Sequence, residues 1–344
     1  MIKNNLSDVV TSLSALPAQL DEVLNGKQLF TWQPAGPLNK VVVCGMGGSN
    51  LGGRIIASAL AKQLTAPLLI NAQYTLPKFV DQQTLLILSS YSGNTEETVA
   101  NARLALRAKA QIVVLTADQA SQLNNFARQH HLPLLAFPTQ HNPSGQPRLG
   151  LGYSVAGLLV ILRAAGLLKL NSKELTAVIH NLSAKNKQLA LKAANNPAKK
   201  LANNINKQVV LAGPEFLAGN LHTLRNQLNE NAKHFASYLT VPDMNHYALE
   251  GLAKPGGNRR RTVFVFFNSA LAGPKISRRS QLTRTVVKKN GLTVLEHALG
   301  GATELAQALE MLQFGAWLSF YLAVKNKVNP LAIPWVDWFK QQLK

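Results

Sequence analysis

Short, continuous apolar runs alternate with segments whose apolar residues recur every three to four positions. In the first half the runs Val41–Cys44, Pro67–Ile70, Leu85–Ser89, Ile112–Leu115 and Leu134–Phe137 read as buried strands. Leu51–Leu64, Thr95–Lys109 and Gln119–Gln129 read as the helices between them. Strands that are apolar along their length and separated by helices predict a parallel sheet covered on both faces. Ligands of such sheets sit at the carboxyl ends of the strands. Ahead of the first strand, Leu6, Val9, Val10, Leu13 and Leu16 have helical spacing.

The pattern breaks into a loop at Pro143-Ser144-Gly145-Gln146-Pro147 and resumes with an apolar segment, Tyr153–Leu167, that reads as a buried helix. A Lys- and Asn-rich helical stretch from Leu175 to about Leu201 joins the two halves. Beyond it, Val209–Ala212, Thr262–Phe267 and Leu292–Leu295 are predicted strands. Leu217, Leu221, Leu224, Leu228 and Phe235 are predicted to share one helical stripe, and Leu305, Leu309, Leu312, Ala316, Phe320 and Ala323 another. Asn329-Pro330 breaks the latter, and a last helix runs to Lys344. The expected organisation is two similar α/β halves, 1–150 and 208–344, around a helical region 151–207. No strict sequence repeat relates them.

Composition narrows the picture. Hydrophobic residues make up 47% of the 344 positions, as in ordinary globular proteins. No run is long and apolar enough to span a bilayer, and Met1–Asn5 opens no leader-like segment, so cytoplasm is expected and no membrane partner. Cys44 is the only cysteine, which excludes intramolecular disulfides and points to no thiolate metal site. Charge is skewed: 36 Lys and Arg against 16 Asp and Glu, a net +20. Such a field steers anionic ligands. The basic residues are scattered, with short clusters at Arg259–Arg261, Arg278-Arg279 and Lys288-Lys289. None is interleaved with aromatics as a base-stacking surface requires, so nucleic acid is not the expected partner.

Two stretches carry candidate chemistry. Gly45-Met46-Gly47-Gly48-Ser49-Asn50-Leu51-Gly52-Gly53 lies between a predicted strand and a predicted helix. Glycines there let backbone N–H groups and the positive end of the helix approach an anion. Ser89-Ser90-Tyr91-Ser92-Gly93-Asn94-Thr95-Glu96-Glu97-Thr98 also follows a strand and opens a helix, with capping-box spacing between Asn94 and Glu97. A helix cap needs one hydroxyl. Here Ser90, Ser92 and Thr95 surround a glycine, and they could hold a phosphate without lysine or metal.

Together these stretches resemble the sugar isomerase (SIS) domain superfamily, and more narrowly the bifunctional phosphoglucose/phosphomannose isomerase family. The narrower resemblance rests on Gln146-Pro147-Arg148, Gln227–Lys233, Met244-Asn245-His246 and the ending Tyr321-Leu322-Ala323, Asn329-Pro330 and Val336–Lys340. It implies two SIS-type domains, each a mainly parallel sheet flanked by helices, in a homodimer with no metal or organic cofactor. The implied substrate is a hexose 6-phosphate. Ser90, Ser92 and Thr95 would bind its phosphate, with Gly47, Gly48 and Ser49 lining the site. Glu230 would shuttle the proton between C1 and C2, and Arg148 would face the enediolate. His246, from the neighbouring subunit, and Lys340 would assist ring opening. Periodicity alone makes Glu230 a surface carboxylate and His246 a loop residue, so these roles rest on the resemblance. Departures from the family pattern are Asn50 in place of a glycine, Ala316 and Asn329 in place of aspartates, and Leu331-Ala332-Ile333 without the small hydroxyl residue to which acceptance of mannose is attributed. Asn tolerates the left-handed conformation, so the loop is expected to survive Asn50. The leading reading is interconversion of glucose 6-phosphate and fructose 6-phosphate, with mannose 6-phosphate open. The alternative is a non-catalytic sugar-phosphate sensor.

Overall fold

Two parallel sheets organise the computed structural model, which describes residues 2–26 and 30–343. Helices α1 (Ile2–Ser14) and α2 (Leu16–Leu24) come first. The first sheet holds β1 (Lys40–Cys44), β2 (Leu68–Asn71), β3 (Thr84–Ser90), β4 (Gln111–Ala117) and β5 (Leu134–Phe137), in the order β2-β1-β3-β4-β5. Helices α3 (Gly48–Ala59), α4 (Glu96–Arg107) and α5 (Gln122–Gln129) connect them, and α6 (Leu151–Ala164) follows. Helices α7 (Ser172–Leu189) and α8 (Pro197–Asn204) lead into the second sheet. Its strands β6 (Gln208–Pro214), β7 (Ala236–Val241), β8 (Thr262–Asn268) and β9 (Thr293–Ala298) lie in the order β7-β6-β8-β9. Helices α9 (Ala218–Ala232), α10 (Asn258–Arg261) and α11 (Gly273–Lys289) connect these strands, and α12 (Glu304–Lys325) and α13 (Pro334–Gln342) end the chain.

The continuous apolar runs are explained by two-sided burial. All seven residues of β3 are buried. Alternate residues point to opposite faces. Thus Val41, Val43, Leu85 and Ile87 join one core cluster, while Val42, Cys44, Leu86 and Leu88 join another. The first cluster continues through Ile55, Leu158, Leu224 and Trp317 to Val209 and Val263 of the second sheet. One core is therefore shared by the inner faces of both sheets. In each sheet the first strand has its successor on one side and the third strand on the other, so strand order reverses between β1 and β3 and between β6 and β8. Crevices at such reversals are where open α/β sheets bind ligands.

The structure corrects several expectations. Strand β7 has no predicted counterpart, because its run Ala236-Ser237-Tyr238-Leu239-Thr240-Val241 is half polar and half-buried. Phe235 is not on the helical stripe. Lys233 takes a left-handed conformation (φ 49°) that ends α9, and Phe235 lies beyond it at 64% exposure. Helix α3 begins at Gly48 rather than Leu51, so the glycine stretch forms its first turn. The polar link is two helices, divided where Asn196 caps α8 ahead of Pro197.

Gly93 sits in the turn after β3 at φ +66°, and a Cβ there would lie 2.1 Å from Ser121 Oγ. Gly93→Ala is therefore expected to cost about 1–3 kcal/mol, read as a lowered thermal midpoint. An unchanged midpoint would contradict this account of the turn.

Candidate active site

Two loops leave the first sheet where its strand order reverses. After β1, Gly47 adopts φ +50° as the cap of α3. At Gly48 a Cβ would meet Pro147 Cβ at 3.1 Å and the Arg148 nitrogen at 3.2 Å, so glycine is what lets this loop lie against residues 147–148. Ser49 clamps the two loops together. Its Oγ accepts the Tyr91 N–H at 2.9 Å, and its carbonyl accepts the Ser89 hydroxyl at 2.8 Å. Asn50 does not need the left-handed conformation that Asn tolerates. It lies in the first turn of α3 and its amide donates to the Gly45 carbonyl at 3.2 Å.

After β3, the Ser90 hydroxyl is buried 2.8 Å from Thr95 Oγ1 and accepts the Gly93 N–H at 3.1 Å. Ser92 Oγ accepts the Asn94 N–H at 3.2 Å. The Asn94–Glu97 capping box does not form. Thr95 occupies the cap of α4 without a side-chain cap bond, and Asn94 Oδ1 instead accepts the Gln122 N–H at 3.0 Å. Ser90, Ser92 and Thr95 thus gather at the opening turn of α4. Polar contacts lead from this loop to Arg148. Asn142 donates to Tyr91 Oη at 2.9 Å and to the Gln146 carbonyl at 3.0 Å, and Gln146 Oε1 accepts from Arg148 at 2.7 Å.

Arg148 sits on a single helical turn, Pro147–Leu149, and is buried. Its Nε donates to Asn231 Oδ1 at 2.6 Å, and its Nη2 to the carbonyls of Pro330 (2.9 Å) and Leu331 (3.0 Å). Nη1 lies 3.7 Å from the Glu230 carboxylate. Burial lowers the guanidinium's pKa, while Glu230 and Asp337 oppose that shift. Glu230, in the last turn of α9, is not the solvated carboxylate that periodicity gives. Burial raises its pKa, and Arg148, Lys233 and Lys340 pull it back. Lys233 donates to the Glu230 carbonyl at 2.9 Å and also to that of Asn329. Its ammonium is pushed down to about 8 by burial and then by Arg148, with Glu230 opposing.

The fold therefore brings Arg148, Glu230 and Lys340 into one electrostatic cluster and sets the glycine loop, with Gly47, Gly48 and Ser49, against it. Lys340 lies on exposed helix α13 and acts on Glu230 through its charge. His246 is not part of the cluster within this chain. It lies exposed at the end of the turn Asp243–His246 after β7, and no bond or charge contact links it to Arg148, Glu230 or Lys340. Asn231, Gln146 and Lys233 as supports of Arg148 and Glu230 were not assigned from sequence. Asn231 had one available signal, a polar residue on the buried stripe of α9. The carbonyls of Pro330 and Leu331 have no sequence signal. Burial pushes the Cys44 thiol up to about 12, which makes it a poor nucleophile. Among the described residues no three His, Cys, Asp or Glu side chains cluster as a metal site, and no helix is long and apolar enough to cross a membrane.

Comparison with known proteins agrees with this architecture. Residues 38–144 match the model of the SIS domain, and residues 194–343 that of the bacterial phospho-glucose isomerase C-terminal SIS domain. The chain is 27% identical over 341 residues to a bifunctional phosphoglucose/phosphomannose isomerase of Caldicellulosiruptor bescii, covering 96% of this chain and 98% of that one. It is 26% identical to the Aquifex aeolicus protein of the same name, over 92% and 95% of the two chains. Its fold is similar to that of a hypothetical protein of Thermus thermophilus (TM-score 0.78, 17% identity, 99% of this chain and 92% of that one). It is also similar to that of tagatose-6-phosphate ketose/aldose isomerase from Escherichia coli (TM-score 0.68, 17% identity, 96% and 93%).

Asn231 holds a buried guanidinium, so Asn231→Ala is expected to leave Nε unpaired and cost about 1–3 kcal/mol. Thermal or denaturant unfolding measures this, and an unchanged stability would show that Arg148 does not depend on the bond.

Proposed function

We propose, for a chain that belongs to the bifunctional phosphoglucose/phosphomannose isomerase family of SIS-domain proteins, that it interconverts glucose 6-phosphate and fructose 6-phosphate through an enediolate. The observation that carries this reading is a half-buried carboxylate 3.7 Å from a buried arginine, beside two loops of anion-binding character. Aldose–ketose exchange needs a base to move a proton between C1 and C2 and a fixed cation beside the oxygen that becomes anionic. Glu230 is the base. Burial makes it a stronger base than an exposed glutamate, and the surrounding cations keep it ionised. Arg148 stays charged at any working pH, and its hydrogen bonds hold it in place before substrate arrives. Ser90, Ser92 and Thr95 take the phosphate, and Gly47, Gly48 and Ser49 line the sugar.

Ring opening is assigned to Lys340 and to His246 of a second copy. Two features support a homodimer: His246 is remote from its own cluster, and α13, which carries Lys340, exposes Trp335, Trp338 and Phe339. In this reading residues 1–150 and 208–344 are SIS domains joined by the helical region 151–207, and the enzyme works in the cytoplasm, in glycolysis and gluconeogenesis. Mannose 6-phosphate is the further aldose to test. The segment 331–333 that lacks a hydroxyl residue is also the segment whose Leu331 carbonyl is tied to Arg148.

The test is a coupled assay on fructose 6-phosphate that reads glucose 6-phosphate and mannose 6-phosphate separately, with and without EDTA. Glucose 6-phosphate should form at the same rate in both conditions. Binding without turnover would overturn the catalytic reading and leave a sensor. Glu230→Gln should lower kcat by about a hundred- to ten-thousand-fold while fructose 6-phosphate still binds. Because burial holds the Glu230 pKa above the ordinary carboxylate range, kcat/KM should fall on acidification as pH drops through that raised value. Lys233→Met removes a cation that lowers this pKa, so it should move the acid limb to higher pH. An unmoved limb would exclude Glu230 as the titrating base.

A further inference from the structure

A cleft of about 320 Å³ between α3 and α9 is used by none of the chemistry above. Arg54, Ser58, Glu215, His222 and Tyr238 are among the residues that line it. It is separate from the isomerase site, since His222 precedes Glu230 by about 12 Å along the axis of α9. Arg225 stands at its edge. One guanidinium nitrogen is 2.9 Å from His222 Nε2 and 2.7 Å from Asn226 Oδ1, and the group lies over the Tyr238 ring, 5.5 Å from its centroid. Arg54 Nε donates to Asn50 Oδ1 at 3.3 Å. Six ion pairs occur among the described residues, and neither arginine belongs to any of them. Glu215 lines the same cleft but is exposed and pairs with neither arginine.

Two partly buried guanidinium groups at one cleft, neither paired with a carboxylate, are an unbalanced arrangement. Arg225 adds to the cost of charging Arg54. Burial lowers the Arg54 pKa, Tyr238 opposes that shift, and Arg225 adds to it. Burial, Arg225 and Arg54 together push His222 down to about 4, leaving a neutral ring whose nitrogen can accept from Arg225. An anion would relieve all three groups. Guanidinium forks match the oxygen geometry of phosphate, and the Tyr238 hydroxyl, 3.5 Å from His222 Nδ1, offers a further donor. The net charge of +20 favours delivery of such a ligand.

We propose that this cleft is a second, non-catalytic binding site for a small molecule bearing a multiply charged phosphate group, with Arg54 and Arg225 as its counter-ions. The test is calorimetric titration of the full chain with inorganic pyrophosphate, alongside NMR of the His222 ring. Pyrophosphate should bind, weaken as salt rises, and move the His222 resonances. Arg54→Gln and Arg225→Gln should each weaken the binding component that moves His222 by about ten-fold or more. Arg54→Lys and Arg225→Lys, which keep the charge, should retain part of it and guard against a folding artefact. Pyrophosphate binding that leaves His222 unmoved, or that both glutamine variants leave intact, would overturn the proposal. So would absence of binding together with loss of self-association in Arg225→Gln, which would assign the cleft to a carboxylate of a second copy. Turnover is not read, so the outcome is independent of the isomerase assay.

Discussion

The buried guanidinium of Arg148 is the constraint on which the candidate site depends. A charged group taken out of water has to find a partner for each of its donors, or the desolvation cost is not met. Here the partners come from distant parts of the chain: Gln146 beside it, Asn231 on α9, and the carbonyls of Pro330 and Leu331 ahead of α13. One side chain thus ties the end of the first half, the main helix of the second and the C-terminal segment. Glu230 and Lys340 are positioned by two of those three tethers. Gly48 completes the assembly by letting the glycine loop close against Pro147 and Arg148.

The two sheets repeat an architecture without repeating its chemistry. Both reverse strand order next to their first strand, and both have a loop at that point. In the first sheet the loop after β3 gathers three hydroxyls and no arginine or lysine. In the second, β8 ends at Asn268 and is followed by Ser269, and the nearby arginine, Arg284, is already engaged, 3.1 Å from Glu296 and 2.7 Å from Asn268. Its charge is balanced by its own neighbours. The arginines between α3 and α9 differ in having no carboxylate partner.

The base role proposed for Glu230 makes two demands on its surroundings. A base must be basic enough to take a proton from carbon yet remain ionised. Burial supplies the first and the cations Arg148, Lys233 and Lys340 the second. The left-handed turn at Lys233 brings its ammonium back over the end of its own helix, where it also satisfies the terminal carbonyls.

The sequence by itself determined the local elements and the superfamily. Two-sided burial writes itself as continuous apolar runs, and a glycine or hydroxyl loop between strand and helix is a contiguous motif, so both were legible. Strand β7 was not, because an edge strand with a half-polar run has no strong pattern, and the left-handed Lys233 that ends α9 carries no glycine to mark it. Tertiary structure alone decided that Arg148 is buried, that Asn231 and two main-chain carbonyls hold it, and that His246 lies apart from Glu230 within one chain. It also decided that Arg54 and Arg225, far apart in sequence, stand at one cleft with neither in an ion pair. The physical reason is the same throughout: periodicity reports which face of an element is apolar, whereas the pairing of buried charges depends on which distant elements meet.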